Sequence, residues 1–213
     1  MNTGLDSSKF NDYSGERERS ITVYCWSRTQ PGSPWWNDAE TFGRLAATHG
    51  FSVITGGYCG SMEAVSKGAR EALREEDRTP ASPQVVGVLV PGQFPDRALV
   101  GNRYLTESVD AEHMNHRIHL LSSRSRYYVV LPGTLGTLQE FVTIWTMGFL
   151  QPAGLPKPVI VLFRDPWEKL VDAVVSILNL GREQKDLCRF ADTPEEAMNI
   201  IVQDDARQRS TQP

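Results

Sequence analysis

The chain has 213 residues, of which 40% are hydrophobic and 23% charged, a composition that suits one compact α/β domain. Its net charge of −4 argues against the basic surface with which proteins bind nucleic acid or anionic membranes. The three cysteines are odd in number and far apart, no apolar run approaches a membrane span, and the N-terminus lacks a signal-peptide core. These features predict a cytoplasmic protein that binds neither nucleic acid nor membranes.

Polar segments flank the part of the chain that is able to form a core. Residues 1–19 are predicted to be a flexible arm and residues 206–213 a flexible tail, on either side of a single domain at 20–205. Between them, apolar runs rich in β-branched residues predict strands at 21–25, 51–55, 85–90, 127–132 and 158–163. Because these runs are apolar throughout, they are typical of a parallel sheet covered on both faces.

Helical patterns occupy the intervals between the predicted strands. They cover residues 36–49, 61–75, 110–122, 137–150 and 166–180, and a further helix begins within 192–198. Gly50 and Gly181 follow two of these helices, where a left-handed C-cap is expected. The alternation of strands and helices predicts a Rossmann-like, doubly wound parallel α/β sheet in a single domain.

Two glycine-rich loops are the candidate ligand-binding segments. The first, TGGYCGSMEA (residues 55–64), follows a predicted strand and opens a helix, so Gly56, Gly57, Gly60 and Ser61 are candidate ligands of a phosphate. The alternative is that its glycines only make a tight strand-to-helix turn. The loop lacks both the G-x-G-x-x-G spacing of dinucleotide sites and the G-K-[S/T] ending of P-loops.

The second loop, PGTLGTLQE (residues 132–140), carries a carboxylate. Gly133, Thr134, Gly136 and Thr137 offer N–H and hydroxyl donors for a phosphate, and Glu140 would then lie near the sugar of a bound nucleotide. A carboxylate there stabilises an oxocarbenium-like centre or activates water. The alternative is a capping box, in which Thr137 caps the helix and Glu140 closes the box.

Three ordered motifs resemble the LONELY GUY (LOG) family, whose older label is possible lysine decarboxylase. PGTLGTLQE resembles the family hallmark P-G-G-x-G-T-x-x-E, and MNHRI (residues 114–118) resembles its M-x-x-R-K run. The glycine loop at 56–62 matches a third family element. The similarity in order and spacing extends from about Ile21 to Ile201.

The resemblance implies hydrolysis of the N-glycosidic bond of a nucleoside 5′-monophosphate, giving free base and ribose 5-phosphate. Family members act on cytokinin riboside monophosphates, and some act on AMP. By position, Arg117 and Glu140 are the implied catalytic pair. With the first loop, the implied nucleotide-binding residues are Met114, Gly133, Thr134, Leu135, Gly136 and Thr137. The family typically forms homodimers with active sites beside the interface.

Two departures from the family pattern leave an alternative function open. Thr134 stands at the second glycine of the hallmark, where a β-branched residue is disfavoured if the backbone needs a positive φ. Ile118 replaces the lysine that follows the arginine. The alternative is a non-catalytic protein on the same fold that binds a nucleotide or a nucleotide-like molecule such as molybdenum cofactor.

Neither a metal nor another cofactor is expected. His113, His116 and His119 are three residues apart, but successive steps of three drift around a helix and no thiolate or carboxylate lies at a convincing spacing. A solvated or interface face is the preferred interpretation of these histidines. A pyridoxal phosphate lysine, which the older family label suggests, has no support, because no lysine lies in either glycine loop.

Two apolar segments raise the question of partners. The helix at 137–151 is apolar on more than one face, which favours a partner surface over burial within the same chain. Trp35 and Trp36 could stack on a base or lie in a dimer contact, although packing is the favoured role.

Overall fold

The computed structural model describes residues 19–72, 78–79, 81–92, 100–151 and 157–211. Seven parallel strands form one sheet in the order β4-β3-β2-β1-β5-β6-β7, which confirms the Rossmann-like α/β fold. The strands are β1 (Ser20–Tyr24), β2 (Ser52–Thr55), β3 (Val85–Leu89), β4 (Glu107–Asp110), β5 (Tyr127–Val130), β6 (Val159–Phe163) and β7 (Cys188–Ala191).

The helices of the described residues pack against this sheet. They are α1 (Pro34–Thr48), α2 (Ser61–Glu71), α3 (Met114–Ser123), α4 (Leu135–Leu150), α5 (Arg164–Ile177), α6 (Arg182–Lys185) and α7 (Pro194–Thr211). In the described part of the chain, no helix is both long and apolar enough to cross a membrane.

The strands predicted from apolar runs form the centre of the sheet. Every residue of β1, β3, β5 and β6 is buried, because helices cover both faces. The sequence prediction missed β4 and β7, the two edge strands, which have four residues each. It also missed the single-turn helix α6.

Helix ends follow the sequence signals in part. Gly50 has φ +78° and follows His49, the C-cap residue of α1, as predicted for a left-handed helix end. The prediction for Gly181 was wrong, because α5 ends at Ile177, the left-handed residue is Asn179 with φ +50°, and Gly181 precedes α6. Helix α7 begins after Thr193, whose Oγ1 accepts the N–H of Glu196 at 3.2 Å.

The predicted flexible arm and the predicted flexible tail are described by the structure to different extents. Residues 206–211, which were predicted to be a flexible tail, continue α7 as helix. The predicted arm lies outside the described residues except for its last residue, Arg19. The guanidinium of Arg19 donates to the carbonyl of His49 at 2.7 Å and lies over the ring of Phe51.

Sheet order fixes where the loops that carry chemistry meet. The chain runs outward from β1 through β2 and β3 to one edge, then returns to pair β5 with the other side of β1. The order therefore reverses between β1 and β5, and ligands of doubly wound sheets bind beyond the carboxyl ends of strands at such a point. The segments after β1 and β5, together with the glycine loop after β2, surround this crevice.

Candidate active site

Arg117 is the first functional side chain that the fold places beside the crevice. It lies in the first turn of α3, and only 7% of its surface is exposed. Its Nε donates to the carbonyl of Val88 at 2.9 Å, and its Nη2 donates to the carbonyl of Gly56 at 3.3 Å. These bonds fix the guanidinium plane against β3 and the first glycine loop. Arginine is suited to this role because its N–H donors form a rigid fork.

Glu140 is the second functional side chain beside the crevice, and it contacts Arg117 where α3 and α4 lie side by side. It lies in the second turn of α4 and is 8% exposed. The Nη1 of Arg117 donates to its Oε1 at 3.3 Å, which closes a buried ion pair. The capping-box alternative was wrong: α4 begins at Leu135 after Thr134, so Thr137 lies inside the helix.

Burial makes the carboxyl of Glu140 a weaker acid than an ordinary glutamate. Its pKa is raised to about 7, because removal from water disfavours the charged form. Arg117 lowers the pKa of this carboxyl through its charge and its hydrogen bond, but the effect of burial is larger. Near neutral pH the carboxyl therefore exchanges between its neutral and charged forms, which is the state expected of a group that transfers protons.

The second glycine loop lies open beside this pair. Thr134, Leu135 and Gly136 are exposed, and Leu135 exposes 82% of its surface. A Cβ added to Gly133 would lie 2.2 Å from the Oγ1 of Thr137, so glycine allows the buried threonine to pack beneath the turn. These residues form the amino end of a helix of 16 residues, whose first N–H groups have no partner within the helix.

The two departures from the family motif are accommodated locally. Thr134 has φ −123° and ψ −157°, an extended conformation open to any residue, so the backbone makes no demand for glycine there. Its side chain makes no capping hydrogen bond to α4. Ile118, in place of the motif lysine, is 9% exposed and buried beside Arg117 along α3.

The first glycine loop supports Arg117 and packs against its neighbours. Gly57 and Gly60 have φ +76° and +69°, a region that favours glycine. A Cβ at Gly60 would lie 2.5 Å from the carbonyl of Trp26, and that same carbonyl accepts the N–H of Ser61 at 2.8 Å. Internal packing thus accounts for Gly57, Gly60 and Ser61, and phosphate binding by them stays a prediction.

Several residues at the site were missed by sequence reasoning. Val88 contributes only a carbonyl, which no side-chain pattern reveals. The ring of Tyr58 lies 5.9 Å from the guanidinium carbon of Arg117. Cys25, directly after β1, is buried, which raises the pKa of its thiol; the charge of Glu140 raises it further. Its position at the end of a predicted strand was the one signal that could have placed it here. Met114, which was predicted, lies one turn before Arg117 and packs against the core.

Several of the histidines and tryptophans that the sequence singled out make contacts within the chain. Among the described residues, no group of three His, Cys, Asp or Glu side chains is arranged to hold a metal. His113 caps α3, with its Nδ1 accepting the N–H of His116 at 3.1 Å. Trp36 is buried and donates to Glu40 at 3.1 Å, whereas Trp35 is 39% exposed and meets Trp26 edge to face.

A sequence profile described as possible lysine decarboxylase matches residues 62–201, which include Arg117, Glu140 and both motifs around them. The chain belongs to this family. It is the LONELY GUY (LOG) family, as the motifs indicated.

Relatives of this LOG-family chain include two mycobacterial proteins named cytokinin riboside 5′-monophosphate phosphoribohydrolase. The Mycobacterium marinum protein is 31% identical over 151 residues, which cover 70% of the present chain and 71% of the relative. The Mycobacterium tuberculosis protein is 28% identical over 149 residues, with coverage of 70% and 71%.

This LOG-family chain also has the same fold as a solved structure. The molybdenum cofactor binding protein from the phototrophic bacterium Rippkaea orientalis superposes with a TM-score of 0.64 and 21% sequence identity. The superposition covers 88% of the present chain and 98% of that protein. An identity this low shows a common fold only, and folds of this kind host unrelated functions.

Proposed function

We propose that the protein hydrolyses the N-glycosidic bond of a nucleoside 5′-monophosphate, releasing free base and ribose 5-phosphate. The observation that carries this proposal is the buried ion pair of Arg117 and Glu140, at 3.3 Å, beside the exposed turn at 133–137. A nucleotide that binds the turn through its phosphate would bring its sugar towards the pair.

The turn at 133–137 supplies what a phosphate requires. The amino end of α4 presents N–H groups and the positive end of the helix dipole. The hydroxyl of Thr134 has no capping bond to make and adds a donor at the same place. A phosphate bound at this turn would place its own negative charge at the amino end of α4 and not beside the carboxylate of Glu140.

The pair supplies what cleavage of the glycosidic bond requires. As the bond from C1′ to the base nitrogen breaks, positive charge develops on the sugar, and the Glu140 carboxylate stabilises it. As the base leaves, water bonds to C1′ and the proton that it loses passes to the Glu140 carboxylate. The departing base takes up a proton from solvent, and Glu140 returns its own proton to solvent, so that one water is consumed for each base released. Within the described part of the chain, Arg117 bonds Val88, Gly56 and Glu140 through three of its five N–H groups, which leaves two to bind ribose or phosphate oxygens.

The comparisons support the substrate class. Two relatives are named phosphoribohydrolases of cytokinin riboside 5′-monophosphates, and the profile match covers the whole candidate pair. We infer that the base is a purine of the adenine or cytokinin type. The same family membership supports a homodimer, in which the exposed apolar side chains of α4 would meet a second copy.

The test is release of free base from a panel of nucleoside monophosphates that includes AMP and isopentenyladenosine monophosphate. Wild type, Glu140→Gln and Glu112→Gln are compared; the last removes an exposed carboxylate just before α3. We expect release by wild type and by Glu112→Gln. For Glu140→Gln we expect a loss of about a hundredfold or more, as when a charge-stabilising group is removed.

The same assay distinguishes the hydrolase from the alternative of a non-catalytic carrier. If no nucleotide releases base although AMP binds to the wild type, the site binds without turnover and the hydrolase proposal is wrong.

A further inference from the structure

Asn102 is a polar side chain that bonds the first glycine loop and has no part in the proposed chemistry. It lies half-buried in the segment between β3 and β4. Its Nδ2 lies 3.2 Å from the carbonyl oxygen of Gly57, 3.0 Å from that of Tyr58 and 3.3 Å from the Oγ of Ser66. Its Oδ1 accepts the N–H of Tyr104 at 3.1 Å, and its own N–H donates to Gly57 at 2.8 Å.

These partners suit an asparagine specifically. The two carbonyls can only accept and the Tyr104 N–H can only donate, so the side chain must offer donors on one side and an acceptor on the other. An aspartate would turn a carboxylate towards two carbonyl oxygens. The amide thus joins the segment at 100–106 to the first glycine loop.

The loop that Asn102 holds is in contact with Arg117. The carbonyl of Gly56 accepts from Nη2 of Arg117, and the ring of Tyr58 lies beside the guanidinium. The hydroxyl of Tyr58 accepts the N–H of Val90 at 2.9 Å, two residues after Val88, whose carbonyl accepts from Arg117. Residues 56–58 therefore form one wall of the guanidinium site.

This wall has few other anchors. Gly56 and Gly57 have no side chains that anchor the loop, and glycine has the widest backbone freedom of any residue. Gly57 is bonded through its N–H to the Oγ1 of Thr55 at 3.0 Å, whereas its carbonyl and that of Tyr58 are bonded to Asn102. Loss of the side-chain amide would remove the described donor to the Tyr58 carbonyl and leave the Gly57 carbonyl with the backbone N–H of Asn102 at 2.8 Å.

We propose that Asn102 is a positioning residue: it fixes the loop at Gly56–Tyr58 and thereby holds Arg117 against Glu140. The inference rests on the proposed function for its kinetic consequence, whereas its structural part concerns the placement of Arg117 and can be measured without turnover.

The kinetic test compares Asn102→Ala with Thr106→Val. Thr106 lies in the same segment, and its Oγ1 bonds the N–H and carbonyl of Val85 at 2.8 and 3.2 Å, away from the glycine loop. For Asn102→Ala we expect kcat for base release to fall about tenfold or more with a smaller change in KM, because small misplacements of catalytic groups have large effects. Thr106→Val should keep the wild-type kcat.

The structural test follows the titration of Glu140 by ¹³C NMR in protein labelled at the glutamate carboxyl carbon. The resonance that is missing from Glu140→Gln identifies this residue. Because Arg117 lowers the pKa of Glu140, displacement of Arg117 in Asn102→Ala should move the titration upwards from about 7. In Thr106→Val it should stay in place, although both variants lose side-chain hydrogen bonds.

The outcomes separate the two proposals. If wild type does not release base but Asn102→Ala shifts the Glu140 titration, the proposed function fails and the positioning role stands. If the titration and kcat of Asn102→Ala match those of Thr106→Val, Asn102 only stabilises the fold and the inference is overturned. Asn102→Ser keeps one short hydroxyl donor and takes the place of the alanine variant, with the same expectations, should that variant not fold.

Discussion

A single carboxyl group, that of Glu140, shows how function opposes stability at the scale of the residue. It is buried with Arg117 as its only described ionic partner, and its pKa is raised from 4.5 to about 7. A raised pKa means that the folded protein favours the neutral acid more than the unfolded chain does. The charged form is therefore retained at a cost in folding free energy, as often found at active sites.

This cost predicts a pH-dependent difference in stability. Below pH 4.5 Glu140 is protonated in both states, whereas above about 7 it is charged in both and the folded state bears the burial cost. The free energy of unfolding of wild type should thus fall relative to Glu140→Gln as pH rises through this window, by roughly 3 kcal/mol in total. Urea titrations at pH 4.5, 6 and 8 measure the difference. A difference that is constant with pH would contradict the raised pKa.

At the scale of the element, helices α1 and α2 lie in backbone contact through two glycines. A Cβ on Gly43 would lie 2.1 Å from the carbonyl oxygen of Val65, and one on Gly68 would lie 1.9 Å from that of Glu40. Lys67, next to Gly68, bonds the carboxylate of Glu40 at 2.8 Å across the same contact. This close approach fixes α2, and with it the glycine loop that precedes α2.

The contact predicts that Gly68→Ala destabilises the protein although alanine favours helix. Helix propensity would raise the free energy of unfolding by up to about 1 kcal/mol, whereas the clash with the Glu40 backbone should lower it by roughly 1–3 kcal/mol or more. Gly136→Ala is the matched control, since an added Cβ there meets nothing within 4 Å and the residue lies in α4. Thermal unfolding of both variants tests this; equal or raised stability of Gly68→Ala would refute the close contact.

Elements were predictable from sequence where burial dictates composition. The central strands are covered on both faces and must be apolar, so their runs were visible. The edge strands β4 and β7 have four residues each, and β4 has the mostly polar sequence Glu-Ser-Val-Asp, so local composition does not distinguish them from loops. Only pairing with β3 and β6 makes them strands.

The candidate site was predictable to the same extent. Arg117 and Glu140 stand in motifs with defined spacing, so their side chains could be named from the sequence. Their supports could not, because Val88 and Gly56 act through carbonyl oxygens and Asn102 lies in a segment without a motif. Such contacts depend on how distant segments meet in space, which spacing along the chain does not reveal.

At the scale of the whole molecule, one surface of α4 is left uncovered in the described chain. Val142, Phe149 and Leu150 expose 42%, 47% and 67% of their surfaces, while Phe141, Ile144 and Trp145 of the same helix are buried. The helix that carries Glu140 thus exposes apolar side chains, and their use as a partner surface stays a prediction. Exposed apolar residues grouped on one helix are typical of a protein contact.

The exposed apolar face of α4 predicts a dimer, and charged substitutions on that face should separate its two copies. The double variant Val142→Glu with Phe149→Glu should be monomeric where wild type is dimeric, because two carboxylates per copy would enter an apolar contact. Ile177→Glu on α5 introduces a charge at a residue 80% exposed and should leave the dimer intact. Sedimentation velocity distinguishes the species. A monomeric wild type, or a dimeric double variant, would show that α4 is not the interface.

The approach of Arg117 to Gly56 also limits how related sequences can vary. A Cβ at position 56 would lie 1.9 Å from the Nη2 of Arg117, so the two positions cannot carry a side chain and an arginine in this geometry together. Among homologues, we expect a non-glycine residue at 56 to occur only where the arginine at 117 has been replaced. Sequences that have lost that arginine are then free to accumulate larger residues in the loop, so position 56 records whether the ion pair has been retained.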